Sequence, residues 1–169
     1  MTGESKTGAS PDLRKGAEPI TAEGIQALRA ELEALEGPRR REMAERIKAA
    51  RELGDLKENA DYHIAKNDQA HLETRIKRLR ERLAKAVVVE ADTSAGVFAF
   101  GRTADVKDVE SGQTNTWTLV GATEADPKQG KLSAESPAGQ ALRDVPVGED
   151  VTFETPGGVR TYRIVELLD

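Results

Sequence analysis

The sequence predicts an α+β protein in which a long antiparallel α-helical coiled-coil hairpin precedes a small mixed domain. Three observations predict it. Leucine and isoleucine recur at spacings of three and four through two stretches before residue 88. A charged Gly-Asp turn separates those stretches. From about residue 90, short runs alternate between apolar and polar side chains. Five of the six aromatic residues (Phe98, Phe100, Trp117, Phe153, Tyr162) lie in the second part, so the bulky packing belongs there, and only Tyr62 lies earlier.

The first segment, "MTGESKTGASPDLRKGAEP", combines Gly, Ser, Pro and charge without a period, so residues 1–18 are expected to form a disordered tail. Residues 19–88 then form the hairpin. Thr21 is placed to cap a helix whose apolar positions are Ile25, Leu28, Leu32 and Leu35. Pro38 lacks an amide hydrogen and clashes with a continuing helix, which predicts a kink or short break near Gly37. Helix resumes from about 39 to 53, with Met43, Ile47 and Ala50 on one side. A second helix runs from about 56 to 86 with Leu72, Ile76, Leu79 and Leu83 as its stripe.

If the chain folds back at residues 55 and 56, facing residues have numbers that add to about 111. Leu28 with Leu83, Leu32 with Leu79, Leu35 with Ile76 and Ile47 with Ala65 nearly comply. At 1.5 Å per residue each arm is roughly 45 Å long. Small residues (Ala49, Ala50, Ala60, Ala65) are expected to face one another near the end and keep it slender.

The turn, "ELGDLKENADYH", carries two carboxylates three residues apart. Gly54 suits the left-handed position that ends the first helix, and Asp55 with Glu58 suits a capping box that opens the second. That assignment is architectural. Yet the two acids also stand at the far point of a rod too thin to enclose an active site of its own. Carboxylates suit Mg²⁺, but two are too few for a dedicated site, because Mg²⁺ keeps waters and shares ligands with phosphate. On the second reading the tip completes a metal site that belongs to another molecule.

Beyond the hairpin, "VVVEA", "TADVKDVE", "TWTLVG", "KLSAE", "DVTFE" and "RTYRIVEL" read as strands, with "TPGG" as a hairpin turn. "SPAGQAL" reads as one short helix with Ser136 at its N-cap and Pro137 in its first turn. Residues 89–169 are therefore a globular α+β domain.

Composition bounds the function. The 169 residues contain no cysteine, which excludes a disulfide framework and thiolate metal sites. No apolar run approaches 18 residues and no signal-peptide core is visible, so a cytoplasmic protein with no membrane association is expected. The net charge is −5. Residues 1–88 hold 18 Lys and Arg against 16 Asp and Glu, and the remainder 7 against 14, so no dominant basic field marks the chain as a free duplex-DNA binder. Arg39 to Arg51 is locally basic, with six basic and two acidic residues, as expected of either a solvated helix face or a phosphate contact.

Three stretches carry a family resemblance: "ITAEGIQALRAELEAL", "ERIKAARELGDLKENADYHIAKNDQAHLETRI" and "LVGATEADPKQGKLSAESPAGQAL…VGEDVTFETPGG". Over about residues 20–168 the chain resembles the bacterial Gre transcript cleavage factors, most nearly the GreA type. The resemblance implies an FKBP-like fold for 89–169 and bacterial RNA polymerase as the partner. It implies docking at the rim of the polymerase secondary channel, insertion of the hairpin tip, and stimulation of the polymerase's own Mg²⁺-dependent cleavage of a backtracked RNA 3′ end.

On that resemblance Asp55 is the first choice as ligand to a Mg²⁺ shared with the polymerase active site, with Glu58 supporting the ion or its water. Arg51 and Lys66 match positions that hold extruded RNA. Ser136 and Pro137 match the segment facing the polymerase rim, beside their plainer role as a helix start. No ion is expected to bind stably to the chain alone, which is expected to be a monomer and no nuclease by itself. The break at Pro38 falls about three residues earlier than the family pattern has it. Tyr62 suits either stacking on a base or packing between helices, and His63 and His71 lack the partnered spacing of a zinc site. Rival readings are a secondary-channel binder that inhibits polymerase without cleavage, a prolyl isomerase of FKBP type, and a coiled-coil adaptor.

Overall fold

A computed structural model describes residues 16–169, so nearly all of the tail expected over residues 1–18 lies outside the described residues. Glu18, counted with that tail, instead opens the first strand. The described residues divide into two compact units, 25–86 and 16–24 with 87–169.

The helical unit is a hairpin. Helix α1 (Ala22–Ala34) begins at Thr21, whose Oγ1 accepts the Gly24 amide at 3.0 Å in the expected N-cap. Pro38 does not break the chain. Residues Leu35–Arg39 form a single π-helical turn, flanked on both sides by right-handed helical backbone, and helix α2 (Arg40–Arg51) continues from it. Widening the turn accommodates a proline ring that would otherwise strike the preceding carbonyl and that donates no hydrogen bond.

Helix α3 (Ala60–Lys85) is the returning arm. Met43, Ile47, Ala65, Leu72 and Ile76 form a narrow buried strip with Leu32, Leu35 and Tyr62 packed along it. Salt bridges flank the strip, two of them within three residues of the predicted register (Arg40–Glu73 and Arg46–Asp68) and two reaching further along the arms. Arg40 grips Glu73 with two bonds of 2.9 and 2.8 Å, Arg46 meets Asp68 at 2.7 Å, Arg80 meets Glu36 at 2.6 Å, and Arg75 pairs with Glu31. Of the four alanines expected to face inward, only Ala50 and Ala65 are buried; Ala49 and Ala60 point to solvent.

The globular unit opens with β1 (Glu18–Ile20), paired with β2 (Ala86–Val88). A two-stranded pair follows, β3 (Val97–Phe98) with β7 (Val145–Pro146). The main sheet has five strands: β4 (Thr103–Asp108), β5 (Thr114–Val120), β6 (Lys131–Ser133), β8 (Asp150–Thr155) and β9 (Gly158–Leu167), in the order β6-β5-β4-β9-β8. All pairings are antiparallel except β5 with β6.

Strict alternation along β4 buries Ala104, Val106 and Asp108. With Phe98, Phe100, Leu119, Ala134, Leu142 and Ile164 the two apolar residues make one core. The opposite face carries threonines and charges, as an antiparallel sheet with one wet face requires. There Thr103 bonds Thr118, Thr116 bonds Asp105, and Arg163 holds Asp150. Buried Arg102 anchors the last residue, Asp169, and the carbonyls of Ala95 and Val97. Glu124 accepts from the amides of Thr21 and Gly121, both at 3.0 Å, and from the Thr21 hydroxyl. No helix among the described residues is long and apolar enough to cross a membrane.

Candidate functional site at the hairpin tip

Helix α2 ends two residues before the expected Leu53, and α3 begins four residues after the expected start. The connection, residues 52–59, is therefore longer than a tight turn, and every residue from Glu52 to Glu58 is exposed. Gly54 is not the residue that ends α2. It sits two residues beyond the Glu52 C-cap, at φ +136°, a backbone state costly for any residue with a Cβ.

The predicted Asp55–Glu58 capping box does not form. Asp55 Oδ1 accepts the Lys57 amide at 3.0 Å and its carbonyl accepts the Glu58 amide at 3.3 Å, so Asp55 closes a small local turn. Asn59 is the cap of α3: its Oδ1 accepts the Tyr62 amide at 3.0 Å. The physical reason lies in the spacing. "Asn59-Ala60-Asp61-Tyr62" sets an acceptor before the first turn and an acid within it, satisfying the Tyr62 amide and the positive helix end with a start signal four residues downstream of Asp55. Asp55 and Glu58 are thereby released from helix capping.

What remains is a shallow open depression lined by Leu53, Asp55, Glu58, Asn59, Ala60 and Asp61. Among the described residues, the Glu58 carboxylate and Asp55 Oδ2 have no protein partner. Asp61, in the first turn of α3, adds a third acid that the spacing argument passed over. Hard carboxylate oxygens of this kind fit Mg²⁺ in type, but their number does not fill its octahedron. No group of three or more His, Asp or Glu among the described residues is gathered in a metal-binding arrangement.

The cations near the tip are placed differently from one another. Arg51, the last residue of α2, holds its guanidinium 5.6 Å above the centre of the Tyr62 ring, within cation–π range. Tyr62 is half-buried against the hairpin strip and meets His63 edge-on, so packing accounts for its ring. Lys66 is exposed on α3 and donates to Gln69 Oε1 at 3.0 Å. His63 faces the Lys57 carbonyl and His71 faces Asn67.

In the globular unit, helix α4 (Pro137–Leu142) starts as predicted. Ser136 Oγ accepts the Gly139 amide at 3.0 Å and donates to the Ser133 carbonyl at 2.7 Å. Gly139 is needed there, because a Cβ would collide with that same Ser133 carbonyl. Pro137 is exposed at the first helical position.

Comparison with known proteins gives a consistent family. Residues 18–88 match the family described as transcription elongation factor, N-terminal, and residues 93–169 match transcription elongation factor, GreA/GreB, C-term. Transcription elongation factor GreA of Bacillus subtilis (strain 168) is 42% identical over 149 residues, covering 88% of this chain and 95% of its own. The protein of the same name from Nautilia profundicola is 46% identical over 148 residues, covering 87% and 91%. Among solved structures, the GreA factor homolog 1 protein of Thermus thermophilus is 28% identical and covers 90% of this chain and 99% of its own, with a TM-score of 0.40.

Proposed function

Because this chain belongs to the GreA/GreB family of transcription elongation factors, we propose that it acts on bacterial RNA polymerase as a cofactor that presents Asp55 and Glu58 to the polymerase active centre. There it stimulates the polymerase's own cleavage of backtracked RNA. The observation that supports this reading most directly is the condition of the two acids: both are exposed at the end of the hairpin, and neither caps a helix. Acids spent on architecture would be half-buried or bonded to several amides.

Mg²⁺ shared with the polymerase would supply Lewis-acid activation of the attacking water and stabilise charge on the leaving oxygen. Asp55 offers Oδ2 as a ligand while Oδ1, bonded to the Lys57 amide, holds the carboxylate in one orientation. Glu58 keeps both oxygens available for the ion or its water. Arg51 and Lys66 contribute phosphate contacts that position the extruded RNA without reading its sequence. Tyr62 braces Arg51 for that role. At the rim, the Ser136 hydroxyl already donates to Ser133 and accepts from Gly139, so a docking contribution from this segment falls to the exposed Pro137 ring.

The test uses a stalled, backtracked polymerase complex with Mg²⁺ and labelled RNA. Wild-type protein should shorten the RNA, while Asp55→Ala should bind the polymerase equally well and yield almost no product. Equal cleavage by both would remove Asp55 from the mechanism.

A further inference from the structure

The loop that carries the acids has almost nothing of its own to hold it in place. Its internal bonds, Lys57 amide to Asp55 Oδ1 and Glu58 amide to the Asp55 carbonyl, span two and three residues and fix only local shape. They cannot orient the loop against the shaft. The His63 ring nitrogen lies 3.4 Å from the Lys57 carbonyl and ties the loop to α3 alone, whereas one residue reaches both arms. The Asn59 Oδ1 accepts the Tyr62 amide at 3.0 Å, capping α3, and the same side chain donates from Nδ2 to the carbonyl of Ala50 in the last turn of α2. The Asn59 carbonyl also accepts the His63 amide at 3.2 Å.

Among the described residues, the bond from Asn59 to Ala50 is the only hydrogen bond joining the two arms on the tip side of the Arg46–Asp68 pair. The assignment of the amide is not ambiguous, because an N–H needs an oxygen opposite it and a carbonyl needs a nitrogen. Beside the Arg51 guanidinium over the Tyr62 ring, this one side chain hydrogen-bonds to both facing helix ends, which needs a donor and an acceptor at this reach.

We infer that Asn59 is a positioning residue for Asp55 and Glu58: by tying the start of α3 to the end of α2 it sets where the loop, and so the two carboxylates, stand relative to the arms. The inference rests on the proposed acid-delivery role of the tip. Asn59→Asp separates the two bonds. A carboxylate still accepts the Tyr62 amide and suits the positive end of α3, so the helix keeps its cap. It cannot donate, and it sets negative charge against the Ala50 carbonyl.

The experiment compares wild type, Asn59→Asp and Asp55→Ala in the backtracked-complex assay and, for the free proteins, in thermal unfolding and amide hydrogen exchange. Asn59→Asp should keep the wild-type melting temperature and the wild-type half-saturating concentration for polymerase. Its maximal cleavage rate should fall roughly ten- to a hundredfold, the upper figure being what a misplacement of about an ångström can cost. Exchange at the Lys57 and Glu58 amides should quicken.

If Asp55→Ala is inactive while Asn59→Asp cleaves at the wild-type maximal rate with unchanged exchange at the tip, the positioning role is overturned and acid delivery stands. If Asp55→Ala itself cleaves normally, acid delivery falls, and the exchange data still report whether Asn59 orders the loop. A loss in Asn59→Asp that appears only as weaker polymerase binding also overturns the inference.

Discussion

Asn59 and Ser136 do the same local work in the two halves of the molecule. Each accepts a backbone amide of the helix it opens, at 3.0 Å, and each donates to the carbonyl of an earlier residue. Their surroundings differ. Behind Ser136 lie buried Gly139 and Leu142, the second with no exposed surface, and the polar cap only trims a position that packing has already set. Behind Asn59 lies a loop whose seven preceding residues are all exposed. The hydrophobic effect has no area to act on there, so geometry at the tip depends on individual hydrogen bonds, whereas geometry in the globular unit depends on excluded water.

This difference can be broken in order of effect. Asp55→Asn at the tip should lower maximal cleavage by roughly two orders of magnitude, the loss of a few kcal/mol of transition-state stabilisation, with no change in melting temperature; stopped-flow cleavage with parallel calorimetry checks both halves of that statement. Leu142→Ala should do the reverse. Removing a fully buried side chain should cost about 2–5 kcal/mol of stability in the globular unit. Denaturant melts should show it, and the cleavage rate per bound factor should be unaffected.

Ser136→Ala is the sharper comparison with Asn59. It should cost about 1 kcal/mol by denaturant titration, with no quickening of exchange in strands β4 or β9, because their packing does not depend on the cap. The smallest effect is a pH dependence. The hydrogen bonds from Arg163 hold the Asp150 carboxyl below its ordinary value, and Arg40 does the same to Glu73. Lowered carboxylates contribute stability above their unfolded values and lose it as pH falls through the folded ones. Both pairs are open to solvent and screened. Acid should therefore produce a slight decline in melting temperature below the usual carboxylate range, reduced in Asp150→Asn with Glu73→Gln and flattened by salt.

Much of this molecule was legible in its sequence, and the parts that were not share a cause. The apolar stripes predicted the arms and their register, since burial on one face imposes a period, and the ion pairs Arg40–Glu73 and Arg46–Asp68 fall where that register puts them. Alternation likewise located every strand of the main sheet, and the Ser136 cap with Pro137 behind it was read from type and order alone. The tip was misread in detail. Two start signals stood four residues apart, at Asp55 and Asn59, and the general rule for a carboxylate three residues after an acid favoured the wrong one. The signal that decides between them, an acid immediately inside the helix and an amide able to reach back to Ala50, depends on where the other arm ends. Spacing along one strand of sequence does not contain that distance. Of the two outcomes expected at Pro38, a kink or a short break, the break does not occur: the steric clash is certain, but whether a helix answers by breaking or by widening depends on what the neighbouring arm demands.

That demand can be read from the stripe itself. From Leu35 to Met43 is eight residues, one more than a heptad, and an extra residue in a regular α-helix would rotate the following stripe by about 100° away from α3. The wide turn at Leu35–Arg39 takes up that surplus residue, so Met43 and Ile47 return to the face that Leu32 and Leu35 left. The wide turn absorbs one residue beyond the heptad: deleting Pro38 itself should yield an uninterrupted helix whose seam stays in phase, while adding a residue should throw the seam out of phase.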